Sequence, residues 1–231
     1  MKFDVIILAG GLGTRLSSVV SDVPKPMAPV CGVPFLDHIL KRLPLANIGR
    51  LILAVGHKYE VISDYYGESY KDVPIVYSIE EKPLGTGGGI GLAMKHVQEP
   101  TVLILNGDTC FDLDYESFWQ QHSESGKLMT IALKQVQNPD RYGTVLLQED
   151  TIVRFEEKKE GLATGLINGG VYWAQKELID HLPKKEKYSF EEEILQVLVK
   201  QEHFGGCISK ELFIDIGIPE DYERAQTIFA E

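Results

Sequence analysis

The 231-residue chain has no apolar stretch long enough to cross a membrane: its longest strongly apolar run, Val5 to Ala9, falls far short of the roughly 20 residues a spanning helix needs. It does not open with a basic segment followed by an apolar one, so no secretory leader is read and the expected location is the cytoplasm. Cysteine is scarce. Cys31, Cys110 and Cys207 are odd in number and far apart, which points to free thiols in a reducing compartment rather than to a disulfide framework or a zinc site. Positive charge is also short, 23 basic against 34 acidic side chains for a net charge of −11, so nothing favours a nucleic-acid backbone or an anionic membrane as partner. Repeats, low-complexity tracts and linkers are missing as well. With 44% hydrophobic residues the chain can bury a substantial core, and residues 1–231 read as a single domain.

What is present is an alternation of short apolar runs and helical segments. Asp4–Leu8 reads as a buried strand feeding a glycine-rich loop. Pro34 opens a helix through Leu45, followed by a strand at Leu51–Val55 and a short helix around Glu60–Tyr66. Ile75–Ile79 is a strand, Gly89–Val97 a helix and Thr101–Leu105 a strand ending in Asn106-Gly107-Asp108. That order predicts an α/β fold with a mostly parallel sheet and helices on both faces. Later runs, at Met129–Leu133, Gly143–Leu147, Ile152–Phe155 and Gly170–Trp173, predict antiparallel or mixed additions. Ser189-Phe190-Glu191-Glu192 is a capping-box pattern opening a helix to about Lys200, and Pro219-Glu220 opens a last helix.

Two segments carry phosphate chemistry. In Leu8-Ala9-Gly10-Gly11-Leu12-Gly13-Thr14-Arg15-Leu16 the glycines let backbone N–H groups approach an anion, and Arg15 can fork two phosphate oxygens. The loop lacks the Gly-Lys-Ser/Thr ending of the Walker pattern, and Leu16 stands where the dinucleotide fingerprint needs glycine. An ordinary glycine turn is the alternative reading. Lys25 follows between Pro24 and Pro26, which stiffen the backbone and limit where its ammonium points.

Acidic residues suited to a metal follow. Asp108 projects at the C-terminal end of a hydrophobic strand, where open α/β sheets bind ligands. Asp215 lies in the apolar run Phe213-Ile214-Asp215-Ile216-Gly217, where an unpaired charge would be costly. The alternatives are a turn aspartate for Asp108 and an arginine partner for Asp215. Glu80 and Glu81 could accept from the N1–H and amino group of a guanine; two adjacent glutamates at a strand end are also a common solvated edge.

The glycine loop together with Pro24-Lys25-Pro26 resembles the sugar-1-phosphate nucleotidylyltransferases, and the resemblance extends over essentially the whole chain. It implies a Rossmann-like three-layer sandwich with a mostly parallel mixed central sheet, whose nucleotide-binding half ends near residue 110 and whose sugar-phosphate half runs from there to residue 231. It assigns the nucleotide to Leu8, Ala9, Gly10, Gly11, Gly13, Thr14, Arg15, Glu80, Gly85, Thr86 and Asn106. Arg15, Lys25 and Asp108 become catalytic, and Asp108 with Asp215 would hold Mg²⁺. Tyr142, Gly143, Glu157, Lys158, Asn168 and Gly169 would bind the sugar phosphate.

Within that family the strings Pro24–Pro29, Pro83–Gly88, Asn106–Thr109, Asp140–Val145 and Phe213–Gly217 are most similar to guanylyltransferases acting on D-glycero-α-D-manno-heptose 1-phosphate. GTP and that sugar phosphate are therefore the expected partners, with a GDP-sugar for a bacterial surface glycan as product; self-association stays open. Uridylyl transfer to N-acetylmuramate 1-phosphate and guanylyl transfer to mannose 1-phosphate are the rival pairings. A sugar 1-phosphate brings its own anionic nucleophile, so the expected chemistry is direct displacement at the α-phosphorus without a covalent enzyme intermediate. A silent nucleotide-sugar sensor would not need Arg15, Lys25, Asp108 and Asp215. A glycosyltransferase would want an Asp-x-Asp metal motif; Asp112-Leu113-Asp114 has the spacing and reads instead as helix-capping acids.

Overall fold

The computed structural model describes residues 2–11, 16, 19–20, 22–158, 161–201 and 203–230. Gly13, Thr14 and Arg15, expected at the triphosphate, lie outside the described residues. The strands are β1 (Phe3–Leu8), β2 (Pro29–Val30), β3 (Val33–Pro34), β4 (Ile48–Val55), β5 (Ser69–Tyr70), β6 (Val73–Ile79) and β7 (Thr101–Asn106) in the first half. The second half adds β8 (Thr109–Phe111), β9 (Met129–Gln137), β10 (Thr144–Gln148), β11 (Thr151–Glu156), β12 (Thr164–Gln175), β13 (Phe204–Ser209) and β14 (Phe213–Asp215).

Ten strands form one sheet in the order β10-β11-β13-β9-β12-β7-β1-β4-β6-β5. Strands β7, β1, β4 and β6 run parallel, as the alternating first half of the sequence requires. From β12 onward the pairing is antiparallel except for β13 beside β9, so the sheet is mixed and is mostly parallel only in its N-terminal half. A further contact, Thr144 opposite Ile167, joins β10 to β12 and closes β12, β9, β13, β11 and β10 into a ring.

The parallel strands are buried on both faces. Val5, Ile7, Leu51, Leu53, Leu103 and Leu105 point into one hydrophobic cluster, roofed by the helices Phe35–Leu40, Tyr59–Tyr66, Tyr115–Ser125 and Pro219–Ile228. Their neighbours Ile6, Ile52, Ala54, Val102 and Ile104 point into a second, roofed by the helix Gly85–Met94 and by Phe190, Ile194 and Leu195. Three layers follow from this period-two division, with each fully buried aliphatic side chain contributing roughly 1.5–3 kcal/mol. Asp4 is buried at the far end of β1 from the loops that carry the site; its carboxylate accepts from the backbone N–H of Gln98 (2.6 Å) and Glu99 (3.1 Å) and faces Arg50 Nε at 3.3 Å.

The structure redraws several expected elements. The helix predicted from Gly89 begins at Gly85, because Gly87 and Gly88 give Tyr188 and the Glu186 carbonyl room to pack against its first turn. The helix after Pro34 stops at Leu40. The short run predicted at Gly170–Trp173 is the end of the much longer β12, interrupted by a bulge between Asn168 and Tyr172. β13 has no counterpart in the sequence pattern, because its Gly205-Gly206 pair interrupts the apolar alternation; a side chain at 206 would collide with Leu147. Asp114 caps the helix Tyr115–Ser125 by accepting from Glu116 and Ser117 N–H, as read, and Pro219 opens the last helix. Cys31, Cys110 and Cys207 are free thiols. Among the described residues no helix is long and apolar enough to cross a membrane.

Candidate functional site

The site assembles where β1 and β7 end side by side. Gly107 N–H donates to the Leu8 carbonyl at 3.0 Å, and a Cβ at 107 would stand 2.5 Å from that oxygen, so only glycine allows the chain to turn so close to β1. The turn delivers Asp108, and the chain continues as β8. β14 pairs antiparallel to β8 with Asp215 opposite Thr109, and Ile216 N–H donates to the Asp108 carbonyl at 3.0 Å. This two-stranded ribbon is what brings acids so distant in sequence together. Lys25, in the turn Lys25–Met27 set by Pro24 and Pro26, donates from Nζ to Asp108 Oδ2 at 2.7 Å, with its side chain only 10% exposed.

Charge is poorly balanced here. Burial, then repulsion from Asp108, push the Asp215 carboxyl well above its ordinary value; the Gly217 N–H, donating to Oδ1 at 2.7 Å, and the charge of Lys25 offset only part of that. Two carboxylates sharing one lysine suit a hard divalent cation. Among the described residues no group of three or more His, Cys, Asp or Glu side chains could hold a metal. A cation at this pair would therefore complete its shell from water and substrate oxygens, as Mg²⁺ habitually does.

Two cavities flank the acids. One, of about 170 Å³, is lined by Leu8, Gly11, Lys25, Pro26, Thr86, Asn106 and Asp108. The other, of about 220 Å³, is lined by Tyr142, Gly143, Asn168, Gly170, Glu191 and Asp215, among others. Asn106 lines both. Its position depends on Gly170, which sits at φ +70° in the β12 bulge; a Cβ there would lie 2.6 Å from Asn106 Nδ2. Asn168 builds the same bulge, accepting from Gly170 N–H and donating from Nδ2 to the Tyr172 hydroxyl, both at 2.9 Å.

Of the residues singled out in the sequence, Leu8, Gly11, Lys25, Thr86, Asn106 and Asp108 line one cavity, and Tyr142, Gly143, Asn168 and Asp215 line the other. Ala9 is buried, its N–H donating to the Ala54 carbonyl. Glu80 and Glu81 part company: Glu81 is exposed, whereas half-buried Glu80 lies between Gly10 and Gly89 and accepts from Leu84 N–H at 3.0 Å. Desolvation raises the Glu80 pKa, the Leu84 hydrogen bond opposing it. Gly85, at φ +76°, packs against the Tyr188 carbonyl. Gly169 faces the Phe111 ring, while Glu157 and Lys158 are exposed beyond the end of β11 and line neither cavity.

Glu191 also lines the second cavity, although the sequence of its segment shows only a capping-box pattern. Ser189 does cap, its Oγ accepting from Glu192 N–H at 3.2 Å, but Glu193 rather than Glu192 reaches back to Ser189 N–H. The shift arises because Glu191–Leu195 is a π-helical turn, wider than the α-helix the pattern assumes.

Comparison with known proteins points to one family. The family model described as nucleotidyl transferase matches residues 4–231. The chain is 45% identical over 223 residues to the D-glycero-alpha-D-manno-heptose 1-phosphate guanylyltransferase of Aneurinibacillus thermoaerophilus, covering 96% of each chain. It is 46% identical over 217 residues to the protein of that name from Campylobacter jejuni, covering 94% of this chain and 96% of that one. The crystal structure of HddC from Yersinia pseudotuberculosis complexed with GMP-PN superposes with a TM-score of 0.84 at 37% identity, covering 98% of this chain and 99% of that one. The match over nearly the whole chain leads to one assignment: this chain belongs to the nucleotidyl transferase family.

Proposed function

We propose that this protein transfers GMP from GTP to D-glycero-α-D-manno-heptose 1-phosphate, releasing pyrophosphate, in the cytoplasm and in support of surface-glycan synthesis. The observation that carries the reading is the meeting of Lys25, Asp108 and Asp215 between two cavities, one beside the glycine loop and one beside the β12 bulge. The choice of base and sugar rests on the identity of 45% and 46% to two proteins named for that reaction.

In this reading the nucleotide occupies the Leu8–Thr86 cavity, with the glycine loop and Arg15 at its phosphates and Glu80 at the guanine. The sugar phosphate occupies the Tyr142–Asn168 cavity. Lys25 supplies positive charge at the α-phosphate, where the acceptor phosphate oxygen attacks as the α–β bridging bond breaks and pyrophosphate leaves. Asp108 and Asp215 would hold Mg²⁺, which would supply positive charge to offset that of the two phosphates. The protein's task is to hold two anions in line and suppress their repulsion, so no general base is required.

The test is Mg²⁺-dependent pyrophosphate release with GTP, UTP, CTP, ATP and dTTP crossed against heptose, mannose, glucose and N-acetylmuramate 1-phosphates. Turnover confined to GTP with the heptose supports the reading. Turnover with another pair overturns the substrate choice, and no acceptor-dependent release overturns the activity.

A further inference from the structure

We propose that Tyr188 is a positioning residue for the nucleotide, acting through a strap, residues 186–190, that the second half of the chain lays across the Pro83–Gly88 loop. The inference rests on the assignment of the 170 Å³ cavity to GTP. Of residues 83–88 only Thr86 lines that cavity, and Tyr188 lines neither it nor its neighbour. The glycines around Thr86 face the strap instead. A Cβ at Gly85, which sits at φ +76°, would stand 2.6 Å from the Tyr188 carbonyl oxygen, and one at Gly87 would enter the Tyr188 ring. One helical turn further on, a Cβ at Gly91 would stand 2.6 Å from the Tyr188 hydroxyl. These glycines form the floor on which Tyr188 packs, and only 5% of that residue is exposed.

The backbone of the strap then fixes both Glu80 and Thr86, the two residues beyond the glycine loop that the proposed function sets against the nucleoside. Tyr188 N–H donates to the Leu84 carbonyl at 3.0 Å, and Leu84 N–H donates to Glu80 Oε2 at 3.0 Å, so one chain of bonds ends on Glu80. Gly87 N–H donates to the Tyr188 carbonyl at 3.1 Å and Phe190 N–H to Thr86 Oγ1 at 2.9 Å, so a second ends on Thr86. The Thr86 hydroxyl donates its own hydrogen to Glu191 Oε2 at 2.8 Å. A loop this rich in glycine has little conformational preference of its own. The packed Tyr188 supplies that preference, and groups set in place before binding reduce the ordering cost that the ligand would otherwise meet. Tyr188 therefore acts on nucleotide affinity and leaves the reacting atoms and the acceptor cavity alone.

The experiment measures steady-state rates and Tm for wild type, Tyr188→Ala, Tyr188→Phe, Gly91→Ala and the double variant Gly91→Ala/Tyr188→Phe. Phe118→Ala, which empties a buried site in the other hydrophobic cluster, is the control for stability alone. Tyr188→Ala is expected to raise the GTP KM about 10-fold with kcat and the sugar 1-phosphate KM within about twofold, the pattern of lost uniform binding. Tyr188→Phe keeps the ring and should match wild type. Gly91→Ala drives a Cβ into the Tyr188 hydroxyl and should raise the GTP KM about 3–10-fold from a position outside both cavities. In the double variant that oxygen is gone, the nearest remaining atom is Leu182 Cδ1 at 3.5 Å, and the GTP KM should return to the wild-type value. Phe118→Ala should lower Tm and leave the GTP KM unchanged. If Tyr188→Ala fails to fold, the Gly91 pair decides. Equal rises in both KM values, a fall in kcat alone, no recovery in the double variant, or the same GTP effect in Phe118→Ala would overturn the proposal. If wild type prefers another sugar or base, the comparison runs on that pair. A wild-type enzyme inert with every pair overturns both readings, whereas wild-type turnover with unchanged KM values in the variants overturns this one alone.

Discussion

Asp215→Asn is expected to stabilise the metal-free protein while ending its turnover. Asp215 is raised from 3.8 to about 6 by burial and by the charge of Asp108, so at pH 7.5 the folded protein carries a carboxylate that it holds less favourably than the unfolded chain does. At about 1.4 kcal/mol per pKa unit the cost is at most about 3 kcal/mol. Asparagine removes the charge and keeps an oxygen for the Gly217 N–H, so a gain of about 1–3 kcal/mol is expected, less whatever its amide leaves unsatisfied. The sign follows from proton counting. Between about pH 4 and 6 the folded wild type retains a proton that the unfolded chain has released, so this group's contribution to stability falls as pH rises through that window.

For a chain of this size the gain corresponds to roughly 2–10 °C in Tm, measured by calorimetry in EDTA at pH 7.5. At pH 5, midway through that window, the difference should fall to about half, and it should approach zero only below about pH 3.5, where the unfolded chain is protonated as well. Saturating Mg²⁺ at pH 7.5 should raise the wild-type Tm and leave the variant almost unmoved, because only a ligand that binds the native site shifts the equilibrium. A variant that melts at or below wild type in EDTA, or whose gain is the same at both pH values, would refute the electrostatic reasoning.

Two further outcomes are expected. Gly170→Ala places a Cβ 2.6 Å from Asn106 Nδ2 at φ +70°, so it should destabilise by about 1–3 kcal/mol in urea titration and raise the KM for both substrates, Asn106 lining both cavities. Asp4→Ala leaves two backbone N–H groups and Arg50 without their carboxylate, and should lower stability by about 3–5 kcal/mol with kcat of the folded fraction unchanged.

The parallel half of the sheet was legible because its strands carry unbroken aliphatic runs between turn residues, as in Val102–Leu105 before Asn106. Lys25 and Asp108 were legible for a related reason: rigid prolines flank one and a strand end fixes the other. Asp215 stood out as an acid in an apolar run. What pairs it with Asp108 did not, since β8 and β14 are short and their pairing is a long-range event with no local pattern. Glu191 was hidden by the same kind of limit. A capping-box pattern presumes α-helical spacing, and the wider π turn that aims this side chain depends on the Thr86 loop packed beside it.

The ribbon of β8 and β14 makes the acid pair a late product of synthesis. Asp108 emerges with the parallel core, and its partner arrives only when Phe213–Asp215 has left the ribosome and docked beside Thr109–Phe111. A nascent or proteolytically shortened chain can therefore possess the glycine loop, Lys25 and most of the sheet while lacking half of the acid pair. In such a chain Asp108 would keep its contact with Lys25 but would lack the neighbouring carboxylate that the ribbon brings beside it.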